Sequence, residues 1–164
     1  MFTWLGGNIV VRAVQGNILD SEAKHIVFAI NKEGYNDTGF AGEISKEYWE
    51  GLQKYSSDRF GKVFSKTIGD KTFYAIVCYS IDEGWPDNTR EIIKESFDKI
   101  QSNGEPIDTI PIGTRYTEKL TGADFKEIVN GMQDSKQEIY LHSNYTSQDL
   151  KKIIEKDKKV LIKE

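Results

Sequence analysis

The chain has 164 residues, of which 38% are apolar and 29% charged, with a net charge of −4. That length supports one domain with a real core and leaves too little for two ordinary ones. The charge argues against a broad polyanion-binding surface and so against direct binding of nucleic-acid duplexes, and no apolar run approaches the roughly 20 residues of a membrane span.

The segment Met1 to Gly7 lacks the basic start and apolar stretch of a signal peptide. With one cysteine, Cys78, no disulfide framework is possible, and a cytoplasmic location is expected. Asn8 to Val14 is β-branched and reads as a strand, ended by a turn over Gln15–Asp20. Ser21 to Lys24 suits one helical turn. His25 to Ile30 is a continuous apolar run, the pattern of a strand covered on both faces. A loop rich in Gly, Asn and Asp follows. From Ala41, the apolar positions Ile44, Tyr48, Trp49, Leu52 and Tyr55 are spaced by three and four, which predicts one amphipathic helix.

Phe60–Phe64 and Phe73–Tyr79 read as strands joined by hairpin chemistry at Ile68–Lys71. After the Gly84–Asn88 loop, Ile92, Ile93, Ser96, Phe97 and Ile100 make a helical stripe that Ser102-Asn103-Gly104 stops. Ile107–Ile112 is a strand, and Gly113–Gly122 a polar loop. Phe125, Ile128, Val129 and Met132 form another stripe. Glu138–His142 is a strand, Ser147 a candidate cap for a helix carrying Leu150, Ile153 and Ile154, and Val160–Ile162 a short final strand. Strands alternating with helices predict a single α/β domain over residues 1–164, a three-layer α/β/α sandwich. The Phe60–Tyr79 hairpin breaks the alternation, so the central sheet should be mixed.

Cys78, inside an apolar strand, reads as a small core residue. Neither His25 nor His142 has metal-ligand spacing around it, so no metal and no cofactor is expected. The alternating charges from Lys151 to Lys163 read as a solvated helix face.

The stretch Asn31 to Ile44, N-K-E-G-Y-N-D-T-G-F-A-G-E-I, lies between a strand and a helix. Such a loop can turn backbone N–H groups toward a ligand, and the helix start favours an anion. Together with Val14-Gln15-Gly16-Asn17-Ile18 and Ile110-Pro111-Ile112-Gly113-Thr114-Arg115-Tyr116, it resembles a macrodomain, the ADP-ribose-binding α/β module. Asn31 falls on the family's strand-end asparagine, Gly39 on the last loop glycine, and Phe40 on the loop valine. Gly42 falls on the helix-start glycine and Ile44 on the isoleucine after it.

The resemblance implies roles. Asn17 would accept a hydrogen bond from the adenine amino group, in place of the family's aspartate, and Ile18 would offer its backbone N–H to the ring. Asn31 would bind the distal ribose. Gly39, Phe40, Ala41 and Gly42 would cradle one side of the diphosphate; Ile112, Gly113, Thr114 and Arg115 would cradle the other. Arg115 would pair with a phosphate, and Tyr116 would cover the distal ribose.

The departures concern chemistry. One hydrolase branch places an aspartate where this chain has Ala41, and alanine accepts no proton. Asp37 and Lys46 are the candidate catalytic groups that remain. The ADP-ribose 1″-phosphate phosphatases and the lysine-containing de-ADP-ribosylating branch look most similar. The implied partners are ADP-ribose or an ADP-ribosylated protein, with hydrolysis of an ADP-ribosyl linkage or a 1″-phosphate. The alternative is a non-catalytic reader, or a protein that sequesters an ADP-ribose-derived signal nucleotide. A third reading is a scaffold used only for protein contacts, with Phe2, Trp4, Trp49, Trp85 and Tyr116 as anchors.

Overall fold

The computed structural model describes residues 2–6, 9–15, 18–20, 23–103, 109–112, 139–143 and 160–162, with side chains for 19–20 and 23–103. The described strands are β1 (Phe2–Gly6), β2 (Ile9–Gln15), β3 (His25–Asn31), β4 (Val63–Ile68), β5 (Lys71–Tyr79), β6 (Thr109–Ile112), β7 (Ile139–Ser143) and β8 (Val160–Ile162). They form one eight-stranded sheet in the order β4-β5-β3-β6-β7-β2-β1-β8. The central strands β5, β3, β6, β7 and β2 run parallel. The outer strands β4, β1 and β8 pair antiparallel with their neighbours. The sheet is therefore mixed, as the hairpin led one to expect.

Two described helices, α1 (Gly39–Glu47) and α2 (Thr89–Ser102), pack against it. Residues alternate between the faces of a strand, and β5 is buried on both. Phe73, Ala75 and Val77 join Ile26, Phe28 and Ile30 of β3 in a core closed by Ala41 and Ile44 of α1. Tyr74, Ile76 and Cys78 are buried on the other face. The α2 stripe contains the expected Ile92, Ile93, Ser96, Phe97 and Ile100, all buried, and α2 packs on β5. Among the described residues, no helix is long and apolar enough to cross a membrane.

The α1 core is rich in aromatic edges. Phe28 meets Phe40 at 6.0 Å and Phe73 at 6.4 Å between ring centroids, both edge-on. Tyr55 sits edge-on between Trp49 at 5.1 Å and Phe64 at 5.0 Å. Each such pair adds about 0.5–1.5 kcal/mol beyond the area that it buries.

The predicted helix through Tyr55 is shorter than expected. The backbone N–H groups of Tyr48 and Trp49 both donate to the Ile44 carbonyl, at 2.9 and 2.7 Å, and the helix ends there. Gly51 then takes φ +87°, a conformation closed to most side chains, and Leu52–Lys54 forms a separate 3₁₀ turn. Trp49 and Leu52 are still buried beside α1, so the apolar spacing survives a break in the helix.

Three smaller differences appear. The hairpin strand begins at Val63 rather than Phe60. The helical turn after β2 falls on Ile18–Asp20, while residues 21 and 22 lie outside the described residues. Strand β1 was not expected; it pairs along β2, with Phe2 opposite Ala13 and Gly6 opposite Ile9. The helical stripes at Phe125–Met132 and Leu150–Ile154 lie outside the described residues.

The start of α1 is held close to the preceding loop. A Cβ at Gly42 would stand 2.7 Å from both the carbonyl carbon and the oxygen of Asp37. Backbone cannot yield as a side-chain tip can. Gly42→Ala is therefore expected to cost about 1–3 kcal/mol, in the range of overpacking, as a lowered urea midpoint with unchanged slope. An unchanged midpoint would mean that the 37–42 turn opens freely.

Candidate functional site

Because β2, β3, β5, β6 and β7 are parallel, their C-terminal ends line one edge of the sheet. Register places Gln15, Ser143 and Ile112 side by side, and Asn31 beside Tyr79. Ligands of open α/β sheets bind at this edge. All three predicted segments leave from it. Ile112 ends β6, and Ile18 opens the 3₁₀ turn that follows β2. Asn17, Gly113, Thr114, Arg115 and Tyr116 lie outside the described residues.

The β3–α1 loop is built around two asparagines. Asn31 is 1% exposed and Asn36 is 2% exposed. The Asn31 side-chain oxygen accepts N–H bonds from Gly34 at 3.0 Å and Tyr35 at 3.1 Å. Its amide nitrogen donates to the Tyr35 carbonyl at 2.9 Å. An amide can donate twice, so one donation is used within the loop. The backbone N–H of Asn31 donates to the Asn36 side-chain oxygen at 2.8 Å, and the Asn36 amide donates to the Tyr55 carbonyl at 3.3 Å. The loop also lies along the 3₁₀ segment, with Asn36 N–H on the Gln53 carbonyl at 3.0 Å and Ser57 N–H on the Lys32 carbonyl at 3.0 Å.

A carboxylate joins this loop to the one after β5. Glu33 accepts the Ile81 N–H at 3.0 Å on one oxygen and the Ser80 hydroxyl on the other. Desolvation alone would raise the Glu33 pKa, but bonds from Ser80 and from the Ile81 and Asp82 N–H groups reverse it, leaving the carboxyl below its ordinary 4.5. Ser80 is buried and its oxygen also accepts the Glu83 N–H at 3.1 Å, so the serine is engaged within these two loops.

The loop then delivers the start of α1. Thr38, the N-cap, makes no side-chain cap bond, and no acidic residue stands in the first turn. The other described helix, α2, also lacks a side-chain cap bond at its N-cap Asn88, and differs in carrying Glu91 in its first turn. An uncapped helix start presents backbone N–H groups and the positive end of the dipole, a suitable setting for an anion. Phe40 ties this start to the core through Phe28, and Ala41 is buried.

The candidate catalytic groups are separated. Asp37 is exposed just before α1. Lys46 is exposed in the last turn of α1, roughly 10 Å along the helix axis from Gly39. Cys78 is fully buried, and burial raises its thiol pKa well above the ordinary value, so it is no thiolate nucleophile. It is the extra residue where the β3–β5 register shifts, between the Ile30–Val77 and Asn31–Tyr79 pairs. Among the described residues, no group of three His, Cys, Asp or Glu could hold a metal ion.

Of these groups the sequence singles out Asn31 alone; it gives Glu33, Asn36 and Ser80 no role. The only local trace was an Asn-x4-Asn pair around a glycine. Glu33 depends on residues 47 and 48 positions away.

No family model and no curated protein matches the chain. Solved structures do. The Oceanobacillus iheyensis macrodomain with MES bound superposes with a TM-score of 0.65 at 14% identity, over 94% of this chain and 97% of that one. A Trypanosoma brucei macrodomain in complex with ADP-ribose gives 0.61 at 11% identity, over 90% of this chain and 68% of that one. An alphavirus P23pro-zbd structure gives 0.60 at 13% identity over 87% of this chain, which spans only 22% of that longer protein. The chain therefore has the macrodomain fold, a three-layer α/β/α sandwich on a mixed sheet.

The paired asparagines make a prediction. Asn36→Ala leaves the buried Asn31 N–H without its acceptor. Stability should fall by about 1–3 kcal/mol in chemical denaturation. A loss of a few tenths would show that the Asn31–Asn36 bond does not hold the loop.

Proposed function

We propose that the chain binds ADP-ribose or an ADP-ribose derivative, free or carried on a protein, at the C-terminal edge of its sheet. The observation that carries this reading is the uncapped start of α1, set by the Asn31 loop at that edge. The macrodomain fold supports it, since a Trypanosoma brucei protein of that fold is known in complex with ADP-ribose. In this reading Gly39, Phe40, Ala41 and Gly42 offer backbone to one side of the diphosphate. Ile112, Gly113, Thr114 and Arg115 take the other side. Asn31 directs its remaining amide proton toward the distal ribose, Tyr116 covers that ribose, and Asn17 with Ile18 holds the adenine.

A thermal-shift series with ADP-ribose, NAD, ATP and AMP checks this. ADP-ribose should stabilise most, by about 2.7 kcal/mol at one hundred times its dissociation constant. Absence of any shift with ADP-ribose would remove the reading.

A second reading adds hydrolysis at the distal ribose, of an ADP-ribosyl linkage or a 1″-phosphate. Asp37 favours it, as an exposed carboxylate in the turn that contacts Gly42. Ala41 and the distance to Lys46 favour a non-catalytic reader instead. The assay is incubation with ADP-ribosylated protein and with ADP-ribose 1″-phosphate, read by mass spectrometry. A hydrolase should form product, with turnover falling about 10²-fold or more in Asp37→Ala. Tight binding without product would identify a reader.

A further inference from the structure

We infer that Glu33 is a positioning residue that presets the β3–α1 loop for its ligand by fastening it to the β5–α2 loop; this rests on the binding reading above. Both oxygens of the carboxylate are engaged. One accepts the Ile81 N–H at 3.0 Å and the other the Ser80 hydroxyl. The Ser80 oxygen accepts the Glu83 N–H at 3.1 Å, so the bonds run in a chain from Glu83 through Ser80 to Glu33. Bonds in such a chain polarise and strengthen one another.

The partner loop is itself closed. Ser80 and Gly84 exchange backbone bonds at 2.9 and 2.8 Å. Tyr79, one residue earlier, stacks on Trp85 at 4.8 Å with an interplanar angle of 18°. Glu33 is thus fixed to a braced turn. On its own side, the Lys32 N–H donates to the Tyr79 carbonyl at 2.9 Å, and the Lys32 ammonium lies 3.6 Å from Glu83 and over the Phe60 ring.

Immediately after Glu33 the chain turns back, and the Gly34 and Tyr35 N–H groups reach the Asn31 side chain. Glu33 therefore anchors the outgoing limb of a turn whose returning limb is held by Asn31. Its charge is directed at Ser80 and Ile81. Its effect on an anionic ligand is indirect, through the conformation of residues 31–36.

The test uses Glu33→Gln, Glu33→Asp and Ser80→Ala, with two measurements on each. Calorimetric titration with ADP-ribose gives affinity, and hydrogen exchange gives the order of individual amides. Glutamine keeps the reach and loses the acceptor charge; aspartate keeps the charge and loses the reach. Both should weaken ADP-ribose binding about tenfold, the loss expected when one molecule in ten has the loop ready. Ser80→Ala combined with Glu33→Gln should weaken binding less than the product of the single effects, because both break one chain. Amides of residues 33–36 and 80–83 should exchange faster, while those of Ala75 and Ile76 in β5 stay protected.

Unchanged affinity in both Glu33 variants would overturn the inference, as would full binding by Glu33→Asp, which would reduce the effect to charge alone. If the unmodified chain fails to bind ADP-ribose, the binding reading falls by itself and exchange decides the clamp. Faster exchange confined to the two loops then supports it, and unchanged exchange overturns it.

Discussion

The Asn31–Asn36 pair is the constraint on which the rest of this site depends. A strand that ends in a buried edge leaves backbone groups to satisfy, and unpaired buried groups are costly. Here one side chain closes the turn and the other holds the strand end, at 2.8–3.1 Å for the three N–H bonds to their oxygens. The result is a loop with a defined path in place of a chain of solvated glycines. That path ends at Thr38, so it decides where the N–H groups of α1 point.

The core supports the same geometry from below. Phe40 is the second residue of α1, and its ring meets Phe28 on β3. Gly42 lets the helix lie against the Asp37 backbone. The register shift at Cys78 brings Tyr79 opposite Asn31, and Ser80 follows within reach of Glu33. Packing, register and polar contacts thus agree at one corner of the sheet. This agreement is what binding an extended anionic ligand needs, since order present before binding need not be created during it.

Much of the fold was legible because it rests on local periodicity. The buried run of β3, the α2 stripe and the β4–β5 hairpin all follow from residues close in sequence. The end of α1 differs from the sequence expectation because Trp49, Leu52 and Tyr55 keep a helical spacing after α1 has ended at Glu47. Apolar spacing reports which side chains are buried, and a 3₁₀ turn can bury them as well. β1 was missed because a five-residue strand draws its support from pairing with β2 and β8. At the site, Asn31 and the α1 start could be read from strand–loop–helix order. The commitments of their polar atoms could not. Whether a glutamate is solvated or clamped depends on Ser80 and Ile81 being folded beside it, and Glu33 shows no such partner within its own stretch of sequence.

A crystal structure of the chain grown with ADP-ribose would show where the diphosphate sits relative to the start of α1. If the proposed binding mode holds, diphosphate oxygens should lie within about 2.7–3.2 Å of backbone N–H groups at Gly39–Ala41, with the Asn31–Asn36 bond intact. Diphosphate bound away from the α1 start, or a loop that must break the Asn31–Asn36 bond to admit it, would contradict binding at a preset β3–α1 loop.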